Sequence, residues 1–403
     1  MIKKSPELIT IFLIVFVDVL GFTIILPLLP FYSEALGATP FQVGLLVSVF
    51  GICQLISGPI LGQLSDRVGR RPVLLLSQLG TLAGFVMLAL SRKLWMIFLA
   101  RTLDGITAGN ITVAQAYIAD VTPLQQRTRA MGMIGAAFGL GFLIGPAISA
   151  LLAQYGHSAP IWAACFLSFV SICGSYFFLK EKRILETVKP ARQSKKERYR
   201  ELLAKNEVKR YYLGHLAFGF SFSIFTSGLA LYCERCLHWS GHPFQAREVG
   251  FLLTYSGMIN LTIQVRLIGR LVAKFGELNL VRFGFASGAI GLSVVALSHS
   301  LPMFIFGLTL NSVGSALIRP AVSGLISQAI SPKHQGFAIG FGQTLFSIAQ
   351  ILGPIWSGTL ITGSHFLGYA FSAAFASLLG FLVFVPKINA APKYIPEEGV
   401  DFA

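Results

Sequence analysis

The sequence predicts an all-α membrane protein, with twelve transmembrane helices arranged as two six-helix pseudo-repeats. Three observations predict it. Of the 403 residues, 54% are hydrophobic and only 12% charged, whereas a soluble domain is about 25% charged. Apolar segments of about 20 residues recur along the whole length, each able to cross a hydrocarbon core of about 30 Å. Landmarks of the first half also return in the second at a nearly constant offset.

The first apolar segment, 8–32, is span-length, and the first 30 residues do not end in a small-residue cleavage site. It reads as an uncleaved helix rather than a signal peptide. The second and third segments, 41–64 and 73–91, flank the polar stretch Gly62 to Pro72. Asp66, Arg67, Arg70 and Arg71 cannot sit in hydrocarbon, so this stretch is a tight hairpin on a water-facing surface. Three arginines against one aspartate place it on the cytoplasmic side. Segments 94–119, 130–154 and 158–179 complete the first half. Residues 180–210 then hold 12 Lys/Arg and 5 Asp/Glu, too polar to span. The second half offers 211–236, 247–272, 278–298, 301–326, 335–360 and 365–386. The expected organisation is an N-terminal bundle (1–180), a basic cytoplasmic linker (181–210), a C-terminal bundle (211–386) and a short tail (387–403). Twelve crossings put both termini in the cytoplasm.

A net charge of +15 raises the question of nucleic acid. On this topology 25 of the 32 Lys/Arg are cytoplasmic, 4 are outside and 3 lie within spans. That asymmetry sets topology and attracts anionic lipid headgroups; it is not a nucleic-acid footprint.

The halves echo each other. Gly269 to Gly276 is a degraded copy of the first hairpin, offset by 207 (269 minus 62), and Gly145-Pro146 returns as Gly353-Pro354, offset by 208 (353 minus 145). Two landmarks at one offset argue for duplication of a six-helix unit.

Ionisable residues inside spans are expensive and face a cavity or a partner. Asp18, Arg101, Asp104, Arg266 and Arg319 are of this kind. Asp18 lies 11 residues past Glu7, a rise of about 16 Å and so near mid-bilayer. Desolvation penalises a carboxylate's charge, which suits a group that loads and unloads a proton; a structural aspartate satisfied by local hydroxyls is the alternative. Arg101 and Asp104 are three apart and share a helix face. Either they cancel each other's charge, or substrate or proton competes for one of them, with Asp104 a second proton-coupling candidate. Asn110 and Gln115 extend polar character down the same helix toward one cavity. At the 208 offset Asp18 maps to Thr226, so no acid is repeated there. Thr226, Asn260, Gln264, Asn311 and Arg319 are the second half's candidates for the substrate cavity. Arg319 precedes Pro320, where a broken backbone is expected; it is an anion ligand or an interface-seeking side chain. Arg266, one turn from a helix end, reads as structural. Gly132, Gly141 and Gly145-Pro146 permit close helix packing. Cys233 to His242 has a superficially zinc-like spacing, but cysteines three apart at a helix end are awkward for ligation. No metal and no cofactor are expected, and no nucleotide loop or nucleophile triad is present.

The hairpin Gly62 to Pro72 resembles the loop between helices 2 and 3 of the major facilitator superfamily. Gly132, Gly141 and Gly145-Pro146 resemble its antiporter motif, with Ser149 in place of the expected last glycine. Together with Arg101 and Asp18-Val19-Leu20-Gly21-Phe22 through Pro27-Leu28-Leu29-Pro30, they resemble the bacterial drug/proton antiporters, closest to tetracycline/proton exporters. The resemblance implies the major facilitator fold, with parallel repeats and a midplane substrate site between them. It implies transport roles for Asp18 and Arg101. It also implies a cytoplasmic gate at Gly62, Asp66, Arg67, Gly69 and Arg70, in which Asp66 is partnered by Arg70 and Arg127. One departure matters: tetracycline exporters carry an acid in helix 3 where this chain has Gly84, and Asp104 is the candidate replacement. Intramembrane charge here leans positive, unlike a pump for cations.

The function expected is proton-coupled export of a small amphipathic compound by alternating access. Carriage of an anionic metabolite on Arg101 and Arg319 is the alternative, and a transport-dead receptor or lipid-handling protein a further one. The expected partners are a small molecule, protons and lipids; the chain is expected to be a multi-pass monomer of a bacterial inner membrane and not an enzyme.

Overall fold

The computed structural model describes residues 6–122, 124–179, 181, 203, 205–239, 241–330 and 335–385. Most of the expected linker, the whole tail and the side chain of Arg127 lie outside the described residues. Fourteen helices follow in order among those described. The first half contains α1 (Pro6–Ile25), α2 (Leu29–Ala35), α3 (Pro40–Val68), α4 (Arg70–Ala89), α5 (Leu94–Thr107), α6 (Asn110–Val121), α7 (Leu124–Leu152) and α8 (Ser158–Phe178). The second half contains α9 (Asn206–Cys236), α10 (Ala246–Thr262), α11 (Ile268–Ala296), α12 (Leu301–Ala329), α13 (Gln335–Thr362) and α14 (Phe366–Phe384).

Ten stretches are long and apolar enough to cross a membrane, one of them the 51-residue run Ala246–Ala296. That run holds two crossings, because Gly276 (φ 73°) reverses the chain between them. A further crossing is divided between α5 and α6, each too short to count alone. The twelve expected crossings are therefore all present.

Local chemistry explains several boundaries. Thr39 and Gln42 form a reciprocal capping box before Pro40, and Gln245 and Glu248 repeat it before Ala246. The predicted eleven-residue hairpin contracts to Gly69 alone, with α3 running to Val68 and α4 starting at Arg70. Gly69 has φ 112°, and a Cβ there would lie 2.7 Å from the Glu181 carboxylate, so both backbone and space demand glycine. The expected break at Pro320 does not occur: α12 runs through it. Dense packing of α12 on α11, with Gly284 and Gly314 backbone to backbone, holds the helix where one hydrogen bond is missing. The fourth crossing, expected to be continuous, is broken at Ala108 and Gly109. Ser77 of α4 satisfies the freed backbone there, donating to the Thr107 carbonyl and accepting from the Gly109 N–H at 3.1 Å.

The repeat is real but its register shifts. Tyr32 donates to the Leu88 carbonyl and Tyr232 to the Val295 carbonyl. Thr23 seats against Gly145, and Ser223 against Gly353. The first helix of each half thus corresponds at an offset of 200 (232 minus 32), and the later helices at about 207 (295 minus 88). The difference sits around the small hairpin of β1 (His238–Trp239) and β2 (His242–Pro243). Asp18 therefore corresponds to Phe218, not to Thr226 as the single offset implies.

Among the described residues, the three larger apolar cores show how the halves meet. One draws on both halves, from Leu28, Phe85 and Ile161 to Tyr232, Leu292 and Tyr369. The other two stay within one half each, around Leu74 and Tyr117, and around Phe285 and Phe384. The shared core lies on the side away from Gly69. There α3 meets α13 and α7 meets α10 at backbone distance: a Cβ on Gly44 would strike the Pro354 carbonyl, one on Gly250 would lie 2.8 Å from the Pro146 carbonyl, and one on Gly257 would lie 2.7 Å from that of Phe142. Ser48 adds a hydrogen bond to the Ile351 carbonyl at 2.6 Å, and Arg235 pairs with Glu34 at 2.7 Å. Toward the Gly69 side, Gly132, Gly135, Gly269 and Gly340 face open space. These backbone contacts close the halves against each other on the far side.

Candidate functional site

Inside the first bundle, α1, α4, α5, α6 and α8 bring a polar group together. Asn110, the first residue of α6, donates its amide to Asp18 at 2.8 Å. The break before α6 turns that residue inward from α5's course. Arg101 pairs with Asp104 at 2.8 Å, their side chains only 4% and 8% exposed. The Arg101 guanidinium also lies 4.2 Å from the centre of the Phe50 ring, a cation–π contact from α3. Thr81 of α4 lies beside Asp104. A Cβ at Gly84 would come within 2.9 Å of the Asp104 Cβ, so an acid at 84 and an acid at 104 would compete for one volume. Between these groups lies a small chamber lined by Asp18, Gln78, Thr81, Asn110, Ser168 and Ser171.

The second bundle holds a matching chamber lined by Phe218, Ser221, Phe222, Gly288, Asn311 and Ser377. At the corrected register Phe218 stands for Asp18, Gly288 for Thr81 and Asn311 for Asp104. The charged chemistry of one half is neutral in the other.

Arg319 lies at the seam. Its guanidinium is 5.4 Å from the Phe138 ring of the first half and 5.7 Å from the Phe346 ring of the second. Phe222 extends this aromatic patch toward Phe346 at 6.1 Å and Phe142 at 6.3 Å. Among the described residues no carboxylate pairs with Arg319. His215 lies close by, against Phe346 at 5.9 Å, its Nδ1 buried without a partner.

The other predicted cavity residues do not join these clusters. Gln115 is exposed, five residues and so about 140° round α6 from Asn110. Thr226 is half-buried on α9, and Asn260 bonds its own helix at Ser256. Gln264 and Arg266 fall in a π-helical turn, Ile263–Leu267, with Arg266 exposed. Of the helix 5 glycines, Gly141 and Gly145 are pressed against Val19 and Thr23 of α1, Pro146 gives its carbonyl to the contact with Gly250, and Gly132 meets nothing.

At the Gly69 side, Arg70 is buried and gathers Asp66 at 2.6 Å, Asp120 at 2.8 Å and the Ser65 hydroxyl at 2.6 Å. The Glu181 carboxylate accepts from the N–H groups of Arg70 and Arg71 at 3.1 and 2.9 Å, an anion at the start of α4. Arg67 is exposed, and Gly62 lets α3 approach Thr112 of α6. All these contacts lie within the first half and the first residue of the linker. Sequence reasoning missed Gln78, Thr81, Ser168, Ser171, Asp120, Glu181 and the Phe138–Phe346 clasp. Only the three-residue spacings Gln78/Thr81 and Ser168/Ser171 offered a signal, one helix face each.

The sequence profile of the Major Facilitator Superfamily matches residues 11–276 and 243–400. Multidrug resistance protein 2 of Bacillus subtilis (strain 168) is 29% identical over 399 residues, covering 96% of this chain and 98% of that protein. Tetracycline resistance protein, class E, of Escherichia coli is 31% identical over 352 residues, covering 85% of this chain and 84% of its own. Two solved structures share the fold. The human organic anion transporter MFSD10 (TETRAN) superposes with a TM-score of 0.72 at 23% identity, over 95% of this chain and 100% of its own. A bacterial homologue of the human lysosomal transporter Spinster, inward-facing and occupied, gives 0.75 at 16%, over 95% and 97%.

Proposed function

The chain belongs to the Major Facilitator Superfamily, and from that premise we propose that it exports small amphipathic compounds against a proton gradient by alternating access. That it is a multi-pass membrane transporter of small molecules, and not an enzyme, follows from the family. The finer reading draws support from relatives named for multidrug and tetracycline resistance. On this reading the protein is a monomer of a bacterial inner membrane, and the distribution of its arginines and lysines supports an orientation with Gly69 and both termini in the cytoplasm. The single observation that carries proton coupling is Asp18, a carboxylate held within the first bundle by Asn110. Its charge is costly there, so it exchanges a proton readily as access alternates. Asp104, paired with Arg101, takes the place of the helix 3 acid and tunes that exchange.

One observation favours a second reading of the cargo. Arg319, stacked between Phe138 and Phe346, offers a positive charge beside flat apolar rings. That pairing suits an aromatic compound with an acidic group.

Proteoliposomes test both readings at once. An imposed pH gradient is expected to drive flux of a fluorescent amphipathic probe, and Asp18→Asn to lose the drive while still binding. No pH-driven flux by the wild type, or normal coupling by Asp18→Asn, would sink the proposal. Arg319→Ala is expected to lose affinity for an aromatic carboxylate at least tenfold under the second reading. It leaves a lipophilic cation unaffected.

A further inference from the structure

The chamber beside Asp18 offers about 10 Å³ for the centre of an occupant, the room of one water-sized body. Two of its walls carry oxygens without a hydrogen-bond partner: Gln78 Oε1 and Asn110 Oδ1, on residues only 3% and 1% exposed. Their amide nitrogens are already committed, Gln78 Nε2 to the Ser171 hydroxyl at 2.8 Å and Asn110 Nδ2 to Asp18 Oδ1 at 2.8 Å. A carboxylate only accepts hydrogen bonds, so Asp18 fixes the Asn110 amide with its oxygen turned elsewhere. Thr81 of α4 contributes its hydroxyl to the lining. Ser168 adds a further hydroxyl to the wall.

One carboxylate, two amide oxygens and two hydroxyls thus surround a space for a single small body. We propose that this chamber binds one monovalent, sodium-sized cation, in competition with the proton on Asp18. The ligand set is all oxygen and carries one negative charge, which matches an alkali cation. Calcium and magnesium favour more carboxylates or retained waters, for which there is no room. The nearest other charges, Arg101 and Asp104, pair with each other. Facing side chains from α4, α6 and α8 are neutral, and α7 meets this stretch of α1 through Gly141 and Gly145. Protonation of Asp18 removes the charge that holds the cation, so one leaves as the other arrives. The matching chamber of the second bundle, with Phe218 in the place of Asp18, lacks a carboxylate and serves as an internal control. The inference rests on the proposed function only in taking Asp18 as a proton-exchanging group.

The test is binding of ²²Na⁺ to the purified full-length chain in detergent, read by scintillation proximity. One saturable site per chain is expected at pH 8.5 and its loss at pH 5.5, a comparison that needs no variant. Asp18→Asn is expected to abolish binding and Gln78→Leu to weaken it at least tenfold, while Ser377→Ala in the matching chamber leaves it unchanged. Absence of saturable binding at any pH overturns the inference, as does unaltered binding by Asp18→Asn. Proton-driven flux in sodium-free medium without any sodium binding would overturn this inference and leave the transport reading standing. Sodium binding without pH-driven flux would do the reverse.

Discussion

Among the described residues, Arg101 and Asp104 are each other's only ion-pair partner inside the first bundle, and that makes them sensitive as single residues. Removing one partner strands a buried charge, a loss of about 3–5 kcal/mol in comparable pairs. Arg101→Ala and Asp104→Asn are therefore each expected to lower stability by about that amount. The double variant is expected to cost clearly less than their sum, as measured by denaturant unfolding in micelles. Additive losses would mean that the 2.8 Å contact contributes little. The pair was visible in the sequence because i, i+3 spacing is geometry in itself. Its surroundings were not, since Thr81 and Phe50 reach it from other helices.

Among the elements, the divided fourth crossing depends on a hydroxyl from its neighbour. Ser77 serves both exposed ends of the break, one as donor and one as acceptor. Ser77→Ala leaves the Thr107 carbonyl and the Gly109 N–H only their mutual 2.7 Å contact, and each lost side-chain hydrogen bond costs about 1 kcal/mol. The expected outcome is a lower melting temperature that Ser77→Thr largely restores; equal behaviour of the two variants would refute the role. Sequence reasoning read 94–119 as continuous because nothing in its composition resembles a stop signal. Thr107-Ala108-Gly109 breaks only where a partner can satisfy it. The register of the repeat failed for a similar reason. The two landmarks used to set the offset both lie in helices other than the first, so the shift around β1 and β2 left them unchanged. Tyr32 and Tyr232, reaching equivalent carbonyls, reveal it.

For the whole molecule, the closed far side is a set of glycine contacts between helices of different halves. Gly44→Val would place a methyl group against the Pro354 carbonyl, where α3 and α13 cannot give way without parting. The expected result is a population shifted away from the far-side-closed arrangement. A single cysteine at the exposed Gly132 position would then react more slowly with a membrane-impermeant thiol reagent added from the Gly69 side; an unchanged rate would show that the seam tolerates the bulk. Twelve crossings and duplication were readable from apolar length and repeated landmarks. The state of closure was not, because it depends on which apolar faces meet across a gap that no local pattern encodes.

The two inner chambers are unequal, and that inequality has an evolutionary consequence. Asp18, Arg101 and Asp104 lie in one half, while Phe218 and Asn311 occupy the equivalent places of Asp18 and Asp104 in the other. If the energising ion is handled by the first half alone, the second is free to drift in what it recognises without endangering the power supply. New cargoes would then arise mainly by substitutions after residue 210, and chimaeras that exchange second halves between relatives should inherit the cargo of the donor.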